Sequence, residues 1–161
     1  MKTNQQTNIT PNQLEVDNST GEILVSASTE DYNKVKHTKI KAYQLLSKSD
    51  FVLLNGTWEA KRDGLIKILS SLPISYSWII QEKVLDHNKY YAQILGVLTI
   101  KTGDITRISD GMGICELSEL KGNGGLHFMN ARAETRALKR AIETLFGSVI
   151  NYFVVHHILG Q

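Results

Sequence analysis

The stretch ARAETRALKRAIETLFG, residues 131–147, sets Arg132, Arg136, Lys139 and Arg140 close together. At the turn of an α-helix these four cations fall within an arc of about 100°, and Glu143 is the only carboxylate inside it. Cations crowded in this way repel one another, and a polyanion laid along the face removes that penalty. A solvated helix surface is the plain alternative. Ala133, Ala137 and Ala141 form the adjacent stripe, and Leu138, Ile142 and Leu145 the next. The aliphatic stripe is suited to packing on a sheet, the alanine stripe to close approach of another backbone, and the basic stripe to an anion. Glu134 stands in the first turn, where a carboxylate complements the helix dipole.

Bond-making chemistry finds little support. Cys115 is the only cysteine, which excludes an internal disulfide and a zinc site built on paired cysteines, and it reads as a buried thiol. Asp110 and Glu116 flank one strand end without the third acidic partner that a metal-dependent nuclease needs. His156 and His157 are adjacent in an expected strand and point to opposite faces, so they do not make a metal pair. The GNGG run at Gly122–Gly125 lacks the Lys-Ser/Thr of a phosphate-binding P-loop and reads as a flexible hairpin end. The expectation is a chain that is not an enzyme and takes no cofactor, nucleotide or metal.

Further cations are secondary candidates for anion binding. Lys61 and Arg62 open a short helix, where positive charge opposes the dipole and asks for a reason. Lys121 lies on the Gly-rich loop and Arg107 on a strand. Trp58, Trp78, Tyr76, Tyr90 and Tyr91 are aromatics able to stack on bases; the alternation favours core packing for Tyr76 and Trp78.

The elements that position these residues follow from periodicity. Residues 1–30 are rich in Asn, Gln, Thr and Ser and read as a flexible polar arm, a linker or recruiting segment, leaving 31–161 as one domain. Glu30 to Ser49 has helical spacing, with Val35, Ile40, Tyr43 and Leu46 as its apolar side and lysines around them. Asn55-Gly56 is a hairpin signal, and a short helix runs from Lys61 to Pro73. From Ile74 the period changes to two. Three strands follow, turned at DHNK (86–89) and KTGD (101–104), with Gly111 and Gly113 marking a bulge or a close backbone approach in the third. A basic helix over 128–147 comes next, and VINYFVVHHIL closes the chain as a strand. The fold class is α+β: an antiparallel β-meander crossed by a long basic helix, in ββα–βββ–α–β order after the opening helix.

The 161 residues suit a single domain with a real core, and the net charge of +2 means that any polyanion binding must come from where the cations sit. The N-terminus has no signal-like apolar core and no run reaches membrane-spanning length, so a soluble, cytoplasmic protein without membrane partners is expected.

The helix sequence resembles that of the Rad-fifty-two-type single-strand annealing proteins, in the small form of phages and prokaryotes. Their pattern, Ala-x-Thr-x-(Ala/Gly)-Leu-Lys-Arg-Ala followed by Phe-Gly, is filled by Ala133, Thr135, Ala137, Leu138, Lys139, Arg140, Ala141, Phe146 and Gly147. The similarity spans about residues 50–150 and includes the glycine-bearing last strand of the meander. Arg136 stands where the family often has an acidic residue, and the interval from Ala141 to Phe146 is one residue longer than usual. The resemblance implies an oligomeric ring with a basic groove that holds the phosphates of single-stranded DNA with the bases outward, and ATP-independent annealing in recombination and repair. It implies DNA binding by Arg132, Arg136, Lys139, Arg140, Lys61, Arg62, Lys121 and Arg107, and a homo-oligomer that works beside a recombinase or single-strand-binding protein. The alanine stripe and the open sheet edges are the expected protomer interface. The rival from another class is a non-catalytic interaction module whose basic helix docks an acidic protein.

Overall fold

Ala92, Ile94, Leu98 and Ile100 recur at every second or fourth position, and all four are buried on one face of a strand. That strand, β6 (Tyr91–Thr102), is the middle of an antiparallel sheet between β5 (Ser75–Asp86) and β7 (Ile105–Glu116), each 12 residues long. The β6–β7 register is unbroken from Tyr91↔Glu116 to Thr102↔Ile105, whereas β5 shifts against β6 between Ile80 and Glu82. The irregularity therefore falls in β5, and the glycines of β7 serve the other expected purpose, close approach.

These positions come from a computed structural model, which describes residues 29–88, 90–120 and 125–160 and the backbone of two short strands, β1 (Glu15–Val16) and β2 (Ile23–Leu24), paired antiparallel. The rest of the N-terminal arm and of the GNGG run lie outside the described residues. Helix α1 spans Thr29–Leu45 and is followed by a 3-10 turn, Lys48–Asp50. Strands β3 (Phe51–Leu54) and β4 (Thr57–Ala60) form a two-residue hairpin whose Asn55 and Gly56 both take positive φ, 49° and 82°, as a type I′ turn requires. Helix α2 is Arg62–Ser71, and α3 is Leu126–Phe153.

Helix α3 lies over β6 and β7 and barely reaches β5. The contact is set by small residues on both sides. A Cβ at Gly111 would sit 2.0 Å from the Ala137 carbonyl oxygen, and one at Gly113 would sit 2.0 Å from that of Ala133. Ala133, Ala137 and Ala141 are fully buried there, so the alanine stripe is used within the chain. This corrects the expectation that it supplies a protomer interface: the backbone it approaches is the protein's own β7. The aliphatic stripe meets the sheet as expected, at Leu98 and Ile100 of β6, and reaches beyond it. Ile142, Leu145 and Phe146 share one core with these two and with Ala42, Leu46, Phe51, Leu65, Ile68 and Leu69 from α1, the turn after it, the hairpin and α2. A smaller cluster, Ala92, Ile94, Cys115, Met129, Ala133 and Ala137, lies under the first half of α3, and Trp78 touches both.

The closing strand is a second correction. The chain from Val149 onward continues α3 and ends in a π-type turn, Val154–Ile158. Its β-branched and aromatic residues favour a strand intrinsically, but Val149 and Phe153 prolong the buried row of Ile142 and Leu145, and that burial overrides propensity. His156 and His157 consequently follow helical geometry, His156 lying tilted against Tyr152 (ring centroids 4.1 Å apart) and His157 stacking on Phe153 (4.9 Å). The His157 ring also accepts or donates a hydrogen bond with the Tyr43 hydroxyl, tying α1 to the end of α3. Of the expected apolar side of α1, Ile40 is exposed, whereas Tyr43 and, just past the helix, Leu46 pack into the core, with Thr38 and Ala42 buried beside them. Tyr76 is exposed as well, against the expectation of core packing, because β5 extends beyond the cover of α3. Trp78, one step further along, is half-buried against Gly96 as expected.

Candidate functional site

The buried row Met129–Ala133–Ala137–Ala141 fixes where its neighbouring row must point. Positions 128, 132, 136 and 140 run beside it at i, i+4 spacing, so Phe128, Arg132, Arg136 and Arg140 form a ridge along the outer edge of β7. One helical step of four residues is about 6 Å along the axis, and the Cα atoms of the three arginines follow one another at that interval.

Strand β7 ends the sheet, and alternate carbonyls of an edge strand face outward without a ladder partner. Two of the three arginines meet these groups, and the third meets the turn that follows the strand. Arg140 Nη1 donates to the Met112 carbonyl at 2.7 Å, Arg136 Nη1 donates to that of Ile114, and Arg132 Nη1 donates to that of Glu119 at 2.8 Å. Ser109 completes the seam from the inner face, its hydroxyl donating to the Ala141 carbonyl at 2.8 Å. Basic side chains thus cap one free edge of the sheet, while β5 keeps its edge open among the described residues.

Carboxylates from distant parts of the chain enter the same surface. Glu119, on the 3-10 turn Leu117–Glu119, grips Arg136 with both oxygens, and its Oε1 also accepts the Glu116 backbone N–H at 3.0 Å. The Arg136 guanidinium holds the Glu119 carboxyl down at about 2, and Glu119 in turn raises Arg136. Lys139 Nζ lies 3.0 Å from Glu59 on β4 and 3.8 Å from Glu143. Burial pushes the Glu143 carboxyl up, with Lys139 opposing and Glu59 reinforcing the shift. Glu59 and Glu119 therefore join Glu143 as counter-charges, which corrects the expectation that Glu143 stands alone against four cations. No signal in the sequence marks them, since they lie 80 and 17 residues from their partners. Arg132 and Arg140 bond to carbonyls and form no ion pair among the described residues. Both are exposed, and a guanidinium has five N–H donors, so each has donors to spare for an anion.

The secondary candidates are divided by the fold. Lys61 and Arg62 follow Glu59 at the start of α2, on the hairpin leg that meets Lys139; the Lys61 ammonium donates to the Ser49 carbonyl at 2.8 Å and Arg62 lies 3.6 Å from Asp63. Arg107 is on the inner side of the sheet, its Nη2 donating to the Leu145 carbonyl at 2.7 Å and its guanidinium over the Phe146 ring. That placement makes it a docking residue for α3, away from the ridge. Lys121 lies outside the described residues. Lys48 stands over the Trp58 ring at 5.7 Å, Tyr90 is exposed, and Tyr91 is on the outer face of the sheet.

Cys115 is fully buried, and burial, aided by the Glu119 charge, pushes its thiol up, away from the nucleophilic thiolate. Among the described residues no three His, Cys, Asp or Glu side chains converge to hold a metal ion, and no helix is long and apolar enough to cross a membrane. The chain matches no protein-family model, and no curated protein matches it.

Proposed function

We propose that the ridge is a binding surface for the backbone of single-stranded DNA and that the protein anneals complementary strands, without ATP, as a homo-oligomer in recombination or repair. The observation that carries this reading is the row of Arg132, Arg136 and Arg140, repeated every four residues beside an edge strand, with the two outer guanidiniums in no ion pair among the described residues and acting on Glu119 and Glu143 only at longer range. A polyanion whose charges repeat along a line can engage such a row one phosphate at a time. Phosphate contacts carry no sequence information, and annealing needs none. Lys139, Lys61 and Arg62 extend the positive surface toward the hairpin. With the alanine stripe buried, protomers associate through other surfaces, among them the open β5 edge.

The reading is tested by fluorescence anisotropy of a labelled mixed-sequence strand and of its duplex over a range of salt. Tight, salt-sensitive binding that favours the single strand is expected. Substituting Arg132 and Arg140 together by Ala is expected to flatten the plot of log affinity against log salt by about 1.4 per protomer, the counterion release of two single-strand phosphates. A folded double variant with unchanged affinity and slope would remove the ridge from the binding surface. Binding of an acidic protein together with no affinity for DNA at low salt would replace the reading with that of a protein-docking module.

A further inference from the structure

We propose that Phe128 is a stacking platform for a nucleobase at the N-terminal end of the arginine ridge, and that it gives the surface its preference for unpaired strands. The inference rests on the ridge being a nucleic-acid surface. It adds a contact to the base, where the arginines supply contacts to phosphate alone.

Phe128 is 61% exposed although its neighbour Met129 is fully buried, so the helix turn is anchored while the ring faces outward. Single exposed apolar residues are common on protein surfaces and by themselves call for no explanation. The position of this one sets it apart. Phe128 begins the row that continues as Arg132, Arg136 and Arg140, its Cα about 6 Å along the axis from that of Arg132. Ile79 and Ile108, of comparable exposure, lie on the outer face of the sheet. The ring is also oriented: His127 contacts it edge to face, with centroids 5.7 Å apart and planes at 72°.

A strand whose phosphates follow the arginines brings a base level with position 128. An aromatic face accepts any base, so stacking there is compatible with annealing of arbitrary sequences. In a duplex each base is already stacked and paired, and the ring gains nothing from it. A duplex is then held by the arginines alone, a single strand by arginines and ring together.

The test uses the full chain and three probes: a labelled mixed-sequence single strand, a strand of the same length made of abasic sugar-phosphates, and the duplex. Phe128→Ala is expected to weaken binding of the intact single strand by about tenfold, within the range for loss of one base–aromatic stack, and to leave the abasic strand and the duplex unchanged. Phe128→Trp is expected to restore the affinity, with indole fluorescence quenched by the intact strand and not by the abasic one. Equal losses on all three probes would overturn the proposal, since the ring would then only support the helix. So would an unchanged F128A in a protein whose single-strand binding is abolished by R132A/R136A/K139A/R140A, an outcome that leaves the ridge in place without the ring. Wild-type protein that binds none of the three probes would remove the ridge reading itself.

Discussion

Replacing Gly113 by Ala tests the packing that sets the ridge in place. The added Cβ would lie 2.0 Å from the Ala133 carbonyl oxygen, 2.5 Å from the Ala137 nitrogen and 2.9 Å from the Arg136 Cβ. Ordinary contact begins at 3.4 Å, so α3 must retreat from β7 by about 1.4 Å. The obstructing atoms are helix backbone and cannot rotate away. Overpacking of this kind costs about 1–3 kcal/mol, and the rigid partner places G113A at the upper end. Against it stands about 0.4–1 kcal/mol gained from the stiffer unfolded chain. The net expectation is a loss of about 2 kcal/mol, or a Tm lower by roughly 4–8 °C. Gly147 is the internal control. It lies within α3 with nothing inside 4 Å of its own would-be Cβ, so G147A is expected to stabilise by about 0.5–1 kcal/mol. Urea and thermal unfolding of both variants provide the comparison. A G113A protein as stable as the wild type, or a G147A protein destabilised to the same degree, would refute the close approach of α3 to β7.

Two other perturbations address stability. Phe146 is fully buried among residues of α1, α2 and the hairpin, and Phe146→Ala is expected to lose about 3–5 kcal/mol in urea unfolding; a loss below 1 kcal/mol would place the ring outside the core. Glu119 is held at about 2 in the folded chain against 4.5 ordinarily, so its contribution is present above about pH 4.5 and is lost as the pH falls through about 2. The pair is partly exposed, and screening limits the gain of wild type over Glu119→Gln at pH 7 to about 1 kcal/mol. That gap is expected to close between pH 4.5 and 2; a gap that is constant or widens on acidification would contradict the Arg136–Glu119 pairing.

The meander was legible because β6 is covered along one whole face, so Ala92, Ile94, Leu98 and Ile100 alternate cleanly with half-exposed residues. The hairpin was legible because Asn-Gly is the sequence its turn geometry demands. The glycines of β7 announced a close approach, but not with which backbone. Alanine stripes look alike whether they meet another protomer or the chain's own sheet, and only the placement of α3 distinguishes the two. The end of α3 is not legible in the sequence because the run after Gly147 is rich in β-formers, while the decisive contacts, Phe153 with Phe51 and Tyr43, come from a hundred residues away. The cations of the ridge could be read from helical spacing alone. The carboxylates of Glu59 and Glu119 could not, since they arrive through the hairpin and the turn after β7.

The most direct test of the proposed function is the rate at which two complementary oligonucleotides, one carrying a donor and the other an acceptor dye, form duplex with the protein present and ATP absent. The wild-type protein is expected to accelerate annealing, and R132A/R136A/K139A/R140A is expected to return the rate to that of the strands alone while keeping the wild-type fold by circular dichroism. A wild-type protein that leaves the spontaneous rate unchanged at low salt, or a folded quadruple variant that anneals as fast as the wild type, would contradict it.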